Sequence, residues 1–313
     1  MAMIVLVLGG RGFIGRHVVD ALLARGHVPL VGTRRKASGS RRTRQARFEH
    51  LTTPPDWYPV LRGVGAVVNT VGILRERVRE TYDDIHHRAP AALARACASL
   101  GLRLIHVSAL GLHDGARSRF ILSKLAGERA IAASQADYSI VRPSLVDGEG
   151  GFGARWIRWV ARWPVHFTPA GAAGRIAALD ARDLGEAIAV LCEKTWIPEL
   201  REVELGGSAP RTMGEYLMAM RPAGLPPAVA VSIPSFIARI LGHLCDVAHF
   251  SPFSFGHFEL LRRDNVPRQN LLQALLGRAP TPVGFSPSIP GAWKPGVSRK
   301  AEMGSGLVYT GDG

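Results

Sequence analysis

Apolar positions in the first half of the chain fall into short continuous runs separated by stretches of helical spacing, and this alternation predicts strands and helices in turn. Residues 3–8 are a wholly apolar run, as expected of a central parallel strand covered on both faces. Residues 13–25 then place Phe13, Ile14, Val18, Ala21, Leu22 and Ala24 at helical spacing, and Gly26 supplies the stop. Further strands are predicted over 28–31, 66–69, 103–108 and 138–142, with helices over 89–100 and 123–134. Short links between such elements require right-handed crossovers, so the expected fold class is α/β, a doubly wound parallel sheet.

After Pro143 the pattern changes. A glycine-rich loop at 148–153 leads into a segment that carries Trp156, Trp159 and Trp163 on one helix. Residues 175–180 read as a strand and 184–193 as a helix, so the chain is expected to return to the sheet at about 174–193. Residues 203–206 suggest another strand, Thr212 a cap for a helix running to about 220, and 235–250 an apolar helix bearing His243 and His249. Packing in the core or at an interface is the favoured role for that last helix. Arg239, His243 and Asp246 narrow its apolar face, and it is too short to span a bilayer. The resulting division is a Rossmann domain over 1–145, a smaller mixed C-terminal lobe over 146–280, and an irregular tail over 281–313, with no internal repeat.

The most specific chemistry lies at Gly9-Gly10-Arg11-Gly12-Phe13-Ile14-Gly15, between the first strand and first helix. Glycines 9, 12 and 15 suit a tight turn, a close backbone approach to a diphosphate, and close packing of helix on sheet, with the helix amino terminus facing the anion. That context predicts a nicotinamide dinucleotide. After the second strand, where an acidic residue would bind the adenosine ribose of NAD, the chain reads Gly32-Thr33-Arg34-Arg35-Lys36. Arg34 and Arg35 are placed to grip a 2′-phosphate, with Arg11 able to join them, so NADP(H) is favoured over NAD(H).

Composition adds constraints. A hydrophobic share of 47% in 313 residues allows a sizeable core. The opening apolar run has no basic flank and leads into the glycine turn, which argues against a signal peptide. Cys97, Cys192 and Cys245 are too scattered for a disulfide framework or zinc site, no metal is expected, and a reducing, cytoplasmic setting is. The net charge of +14 leaves open a peripheral site at the inner membrane face or in a protein complex. The densest arginine block, 34–47, lacks interleaved aromatics, so nucleic acid is not expected.

These residues together carry a resemblance. The glycine turn, Val68-Asn69-Thr70-Val71-Gly72, His106-Val107-Ser108-Ala109 and Val141-Arg142-Pro143-Ser144 resemble the extended and atypical short-chain dehydrogenase/reductases, relatives of the sugar-nucleotide epimerases and dehydratases. Within them the chain is most similar to the group containing the Rossmann-type accessory subunit of respiratory complex I. Tyr82-Asp83-Asp84-Ile85-His86, Arg142-Pro143-Ser144-Leu145-Val146, Glu204-Leu205-Gly206-Gly207 and Leu261-Arg262-Arg263-Asp264-Asn265 carry that narrower likeness. The resemblance implies cofactor contacts at Asn69, Val71, Gly72, Ser108, Lys124 and Pro143, and catalytic roles for Ser108 and Lys124.

Redox members of that family place a tyrosine four residues before the lysine. Here the position is Phe120. The ammonium normally stabilises phenolate so that the phenol can exchange a proton with substrate, and phenylalanine cannot. Three readings stay open. One is an oxidoreductase or epimerase-type enzyme on an unidentified small molecule, with Tyr82, His86, His113 or a water on Ser108 as substitute acid. Another is a non-catalytic NADP(H)-binding structural or sensing protein, and the third is a basic surface-binding protein with a vestigial nucleotide fold. Elsewhere His17, His27, His50 and His166 are expected in surface or core roles. The tryptophans would either wall a pocket or pack the helix, and Asp183 would cap the helix that follows Asp180.

Overall fold

The computed structural model describes residues 2–34, 42–78, 80–171, 173–194, 198–248, 256, 259–260 and 262–284. Ile4–Leu8 forms β1, whose side chains divide by parity: Val5 and Val7 enter one core cluster, Leu6 and Leu8 the other. Both faces are covered, which is why no polar residue interrupts the run. There follow α1 (Phe13–Ala24), β2 (Val28–Thr33), β3 (Thr43–Gln45), α2 (Pro54–Leu61), β4 (Ala66–Asn69), α3 (Ala89–Leu100), β5 (Arg103–Val107), α4 (Arg119–Ala132) and β6 (Asp137–Pro143). The second half contributes β7 (Val146–Asp147), α5 (Phe152–Val160), β8 (Val165–Pro169), β9 (Arg175–Ile176), β10 (Leu179–Asp180), α6 (Ala181–Glu193), β11 (Glu202–Leu205), β12 (Arg211–Thr212), α7 (Met213–Ala219), β13 (Val229–Ile233) and α8 (Ser235–Ala248).

The central sheet has seven parallel strands in the order β11-β6-β5-β4-β1-β2-β3. This is the doubly wound Rossmann architecture. Trp57, Leu61 and Leu93 from α2 and α3 fill one face; Val18, Leu22, Ile188 and Leu191 from α1 and α6 fill the other. Each such fully buried aliphatic side chain contributes roughly 1.5–3 kcal/mol relative to exposure. Order reverses between β1 and β4, so the carboxyl ends of these strands open the crevice in which this fold binds ligands.

The expected strand over 175–180 is corrected: it breaks into β9 and β10, and neither joins the central sheet. β10 pairs with β7 and β9 with β12, while β8 pairs with β13. The helix does return, because α6 lies along α1 with Gly185 against the His17 backbone, where an added Cβ would sit 2.6 Å from the carbonyl carbon. β11, from within the 146–280 segment, takes the sheet edge beside β6. A separate small core of Ile157, Val160, Ile176, Tyr216 and Leu217 serves α5, α7 and the short strands.

Two further expectations are corrected. Asp180, not Asp183, caps α6, accepting from Arg182 N–H at 2.7 Å. Buried Asp183 instead takes Arg278 (2.9 Å) and the Thr281 hydroxyl (2.9 Å). The helix expected over 235–250 turns its apolar residues outward rather than into the core: Phe236, Ile237, Ile240, Leu241 and Leu244 are exposed, and Ala238 is buried. His243 and His249, and the tail beyond 284, lie outside the residues whose side chains are described.

Candidate functional site

The structure brings Gly9, Gly10, Arg11, Gly12, Phe13, Ile14 and Gly15 into one turn between β1 and α1. Gly9 has φ +77°, and a Cβ there would lie 2.7 Å from the Thr70 hydroxyl. Gly12 N–H donates to the Gly9 carbonyl at 2.7 Å, closing the turn. A Cβ on Gly15 would lie 2.2 Å from that same carbonyl oxygen, so helix and turn can meet only if residue 15 has none. Exposed Arg11 stands at the turn, Phe13 packs under Gly148 and Gly151, and Ile14 joins the core between α1 and the sheet. The first N–H groups of α1, which have no partner within the helix, face the end of the sheet where an anion would neutralise them.

Asn69 ends β4, fully buried. Its Oδ1 accepts from Val71 N–H at 3.1 Å, and its Nδ2 donates to Nδ1 of buried His106 at 3.1 Å. That hydrogen bond fixes His106 with its proton on Nε2. Burial and the Lys124 charge push its pKa down to about 3. At Gly72 the first atoms an added Cβ would meet are His86 Nε2 and Lys124 Nζ, each at 3.7 Å, so this glycine floors a space shared by an imidazole and an ammonium. Ser108 follows β5; its hydroxyl is buried and has no hydrogen-bond partner among the described residues. Pro143 ends β6 beside it, its carbonyl accepting from Leu110 N–H at 3.0 Å.

Lys124 and Phe120 share α4, which begins at Arg119, four residues earlier than expected. The reason is distant in sequence: the Glu259 carboxylate accepts from the Arg117 and Ser118 N–H groups, capping the helix from outside. Burial pulls the Lys124 ammonium down from 10.5 to about 8, against the opposing influence of Glu128. The Phe120 ring is buried against Tyr82 and His86, with Lys124 Nζ 5.7 Å from its centroid.

Among the substitute acids proposed from sequence, His86 is corrected. Ile73 N–H donates to its Nε2 at 3.1 Å, and its Nδ1 is 2.9 Å from the Ser123 hydroxyl, which lies 3.0 Å from the Phe120 carbonyl. Those directions require a neutral ring protonated at Nδ1. Burial, then Lys124, pushes its pKa down to about 2, so it is no proton donor near neutrality. Tyr82 stacks on His86 and gives its hydroxyl to the Leu74 carbonyl at 2.7 Å. His113 keeps a buried Nδ1 that has no partner among the described residues. Of the other histidines, His27 reaches Glu193 at 2.8 Å and His166 the Ala161 carbonyl at 3.2 Å, both structural contacts.

At the far end of the crevice, Arg34 follows β2 and is paired with Glu80. Arg35 lies outside the described residues. The sequence reading found no acid at the end of the second strand, and locally none is there; Glu80 arrives from the loop after β4. Sequence reasoning also passed over His106 and Ser123. His106 had one available signal, its two-residue spacing from Ser108 on the same strand.

The family model described as NAD dependent epimerase/dehydratase family matches residues 5–195, which span the turn, β4, β5 and α4. The chain belongs to this family. Among curated members and relatives it is similar to a ceramide reductase of Caulobacter vibrioides, 29% identical over 64% of each chain. It is also similar to subunit 9 of the NADH dehydrogenase 1 alpha subcomplex of Arabidopsis thaliana mitochondria, 27% identical over 45% of this chain and 38% of that one. The epimerase/dehydratase chain thus spans less than two thirds of these relatives' length. Its fold matches MoeE5 solved with UDP-glucuronic acid and NAD (TM-score 0.62, 20% identity, 89% and 94% covered). It also matches the Thermus thermophilus UDP-glucose 4-epimerase solved with NAD (TM-score 0.55, 21% identity, 83% and 97% covered).

Proposed function

We propose that this epimerase/dehydratase-family chain is an NADP(H)-dependent oxidoreductase acting on a carbonyl, with Lys124 as proton donor in place of the missing phenol. The observation that carries the reading is Lys124 itself: a lysine brought to about 8 by burial, in the same crevice as a Ser108 hydroxyl that has no partner among the described residues. The residues fit the cofactor. The turn leaves a cradle that any Cβ would fill, the sequence directly after β2 holds no carboxylate, and Arg34 stands there with its guanidinium on Glu80. When bound, the dinucleotide supplies hydride. Ser108 donates a hydrogen bond to the substrate oxygen, and the Lys124 ammonium gives that oxygen a proton and recovers one from water. Gly9, Gly10, Arg11, Gly12, Phe13, Ile14 and Gly15 hold the diphosphate side. Asn69, Val71, Gly72 and Pro143 line the path to the chemistry, residues 1–145 form the nucleotide domain, and 146–280 select the substrate.

A reductase acting on a ceramide-type lipid ketone is compatible with one relative's name. A second reading, a non-catalytic NADP(H)-holding protein, draws on Phe120, whose packed ring already occupies the donor position, and on the complex I subunits among the relatives. Titration with NADPH and NADH, followed by NADPH oxidation with carbonyl substrates across pH, separates the outcomes. Tight NADPH binding with turnover that falls as pH rises through about 8 supports the reductase. Binding without turnover selects the second reading, and no affinity for either nucleotide overturns both.

A further inference from the structure

We infer that the small lobe carries a surface that docks on an anionic lipid bilayer. This goes beyond the nucleotide reading and does not depend on it. The observation is an exposed apolar strip that follows the chain through three elements. On α5, Trp159 is 55% exposed, and its ring packs edge-on against Trp163 at 4.6 Å. On the β8–β13 ribbon, the parallel register places Phe167 opposite Val231 and Val229 opposite Val165, so the alternate positions of both strands present one apolar face. Phe167 is 52% and Val229 62% exposed there. On α8, Phe236 and Ile240, 66% and 55% exposed, lie one turn apart with Leu244 beyond.

These elements are physically joined. Val229 N–H donates to the Pro164 carbonyl at 2.9 Å, directly after Trp163, and at the other end Ala170 N–H donates to the Ile233 carbonyl at 2.7 Å, where α8 begins. Large apolar side chains of this kind are normally buried, and a cluster of them exposed on three joined elements marks a partner surface.

Charge selects the partner. Residues 150–179, which hold α5 and β8, contain Arg155, Arg158, Arg162 and Arg175 and no aspartate or glutamate. Residues 216–245, which hold β13 and most of α8, contain Arg239 and a buried Arg221 that donates to backbone carbonyls, and no acid before Asp246 in the last turn of α8. Arg155, Arg162 and Arg239 are exposed. Tryptophan and arginine interleaved with aliphatic residues, in segments where cations outnumber carboxylates, is the chemistry of the headgroup boundary: rings and aliphatic stems enter the interface while guanidinium groups meet lipid phosphates. No described helix is long and apolar enough to cross a membrane, so α8 would lie in the interface plane.

The test is flotation of the full chain with phosphatidylcholine vesicles and with vesicles that also contain phosphatidylglycerol, alongside its oligomeric state without lipid. Expected are binding to the anionic vesicles, a blue shift of tryptophan emission on binding, and at least about tenfold weaker binding of a Phe236→Asp, Ile240→Asp double variant. That variant should keep the wild type's far-ultraviolet circular dichroism and cooperative thermal unfolding, which shows that it folds. Because Trp159 lies on another element, Trp159→Ala should weaken binding as well. Three outcomes overturn the proposal: no vesicle binding; salt-sensitive binding untouched by these substitutions, which is charge attraction alone; or a dimer in lipid-free buffer that the double variant dissolves, which makes the strip a contact between copies.

Discussion

Replacing Lys124 by methionine should make the ligand-free protein more stable, and the gain should depend on pH. Among the described residues no carboxylate pairs with Lys124 Nζ, because Glu128, one turn further on, gives both oxygens to Arg142 at 2.7–3.1 Å. The ammonium is therefore desolvated without full compensation, which is what lowers it from 10.5 to about 8. The sign follows from proton counts. Between those values the unfolded chain holds a proton that the folded chain has released, so stability rises with pH through this window. The charged lysine opposes folding by about 3 kcal/mol near pH 7, by about 2 near pH 9, and by nothing above about pH 10.5. Methionine has a similar length and no charge. Urea unfolding of both proteins without nucleotide should show the variant ahead by up to about 3 kcal/mol near pH 7, the gap narrowing by about 1 by pH 9. Turnover in the variant should be lost. A gap that stays flat with pH, or a variant less stable near neutrality, would refute the desolvated ammonium and with it the proton donor.

Other substitutions separate the remaining parts of the site. Arg34→Ala should weaken NADPH by roughly tenfold or more while leaving NADH nearly unchanged, and Glu80→Gln should tighten NADPH by releasing Arg34. Equal effects on both nucleotides in a fluorescence titration would dismiss the 2′-phosphate site. Ser108→Ala removes a buried hydroxyl that has no partner among the described residues, so apo stability should hold or rise by about 1 kcal/mol while kcat drops by roughly a hundredfold. A clear loss of stability on denaturation would mean the hydroxyl has a structural job instead. Phe120→Tyr places a phenol near Lys124 and should raise NADPH-dependent turnover without altering nucleotide affinity. An isothermal titration showing weakened binding would place residue 120 away from the reacting end.

What the sequence made legible was the part whose cause is local. The apolar runs at β1 and β4 are buried on both faces and so announce themselves without alternation. The glycine turn was readable because each glycine answers a backbone need. β3 was missed because Thr43-Arg44-Gln45 is a three-residue polar edge strand. α2 was missed because Pro54, Pro55 and Pro59 read as breakers, yet the first two occupy the opening positions where proline costs no hydrogen bond. Long-range contacts account for the rest: Glu259 starts α4, Glu80 reaches Arg34, and Thr281 and Arg278 draw Asp183 away from the helix start. The apolar period of α8 was visible, but periodicity does not say whether a face turns toward the core or away from it.

The features of the crevice share one sign. Among the described residues no carboxylate pairs with Lys124 and no partner meets the Ser108 hydroxyl, and the first N–H groups of α1 have no acceptor within their own helix, so each raises the free energy of the fold unless a ligand or solvent answers it. His86 shows that the same neighbourhood can satisfy a buried polar ring completely when no ligand is needed, since both of its nitrogens are engaged. Ser108 is not alone in this, since Tyr216 and His166 of the small lobe also hold a buried polar atom without a partner among the described residues. What points to function is the place of Ser108 in one crevice with a desolvated ammonium and the glycine turn, where an anion and hydroxyls would relieve the strain of all three. Saturating NADPH should therefore raise the unfolding midpoint of the wild type more than that of Lys124→Met or Ser108→Ala, in which part of the strain is already gone. If all three proteins gain equally from the nucleotide, the charged lysine and the free hydroxyl contribute nothing to holding it, and their place in the site would have to be explained by substrate alone.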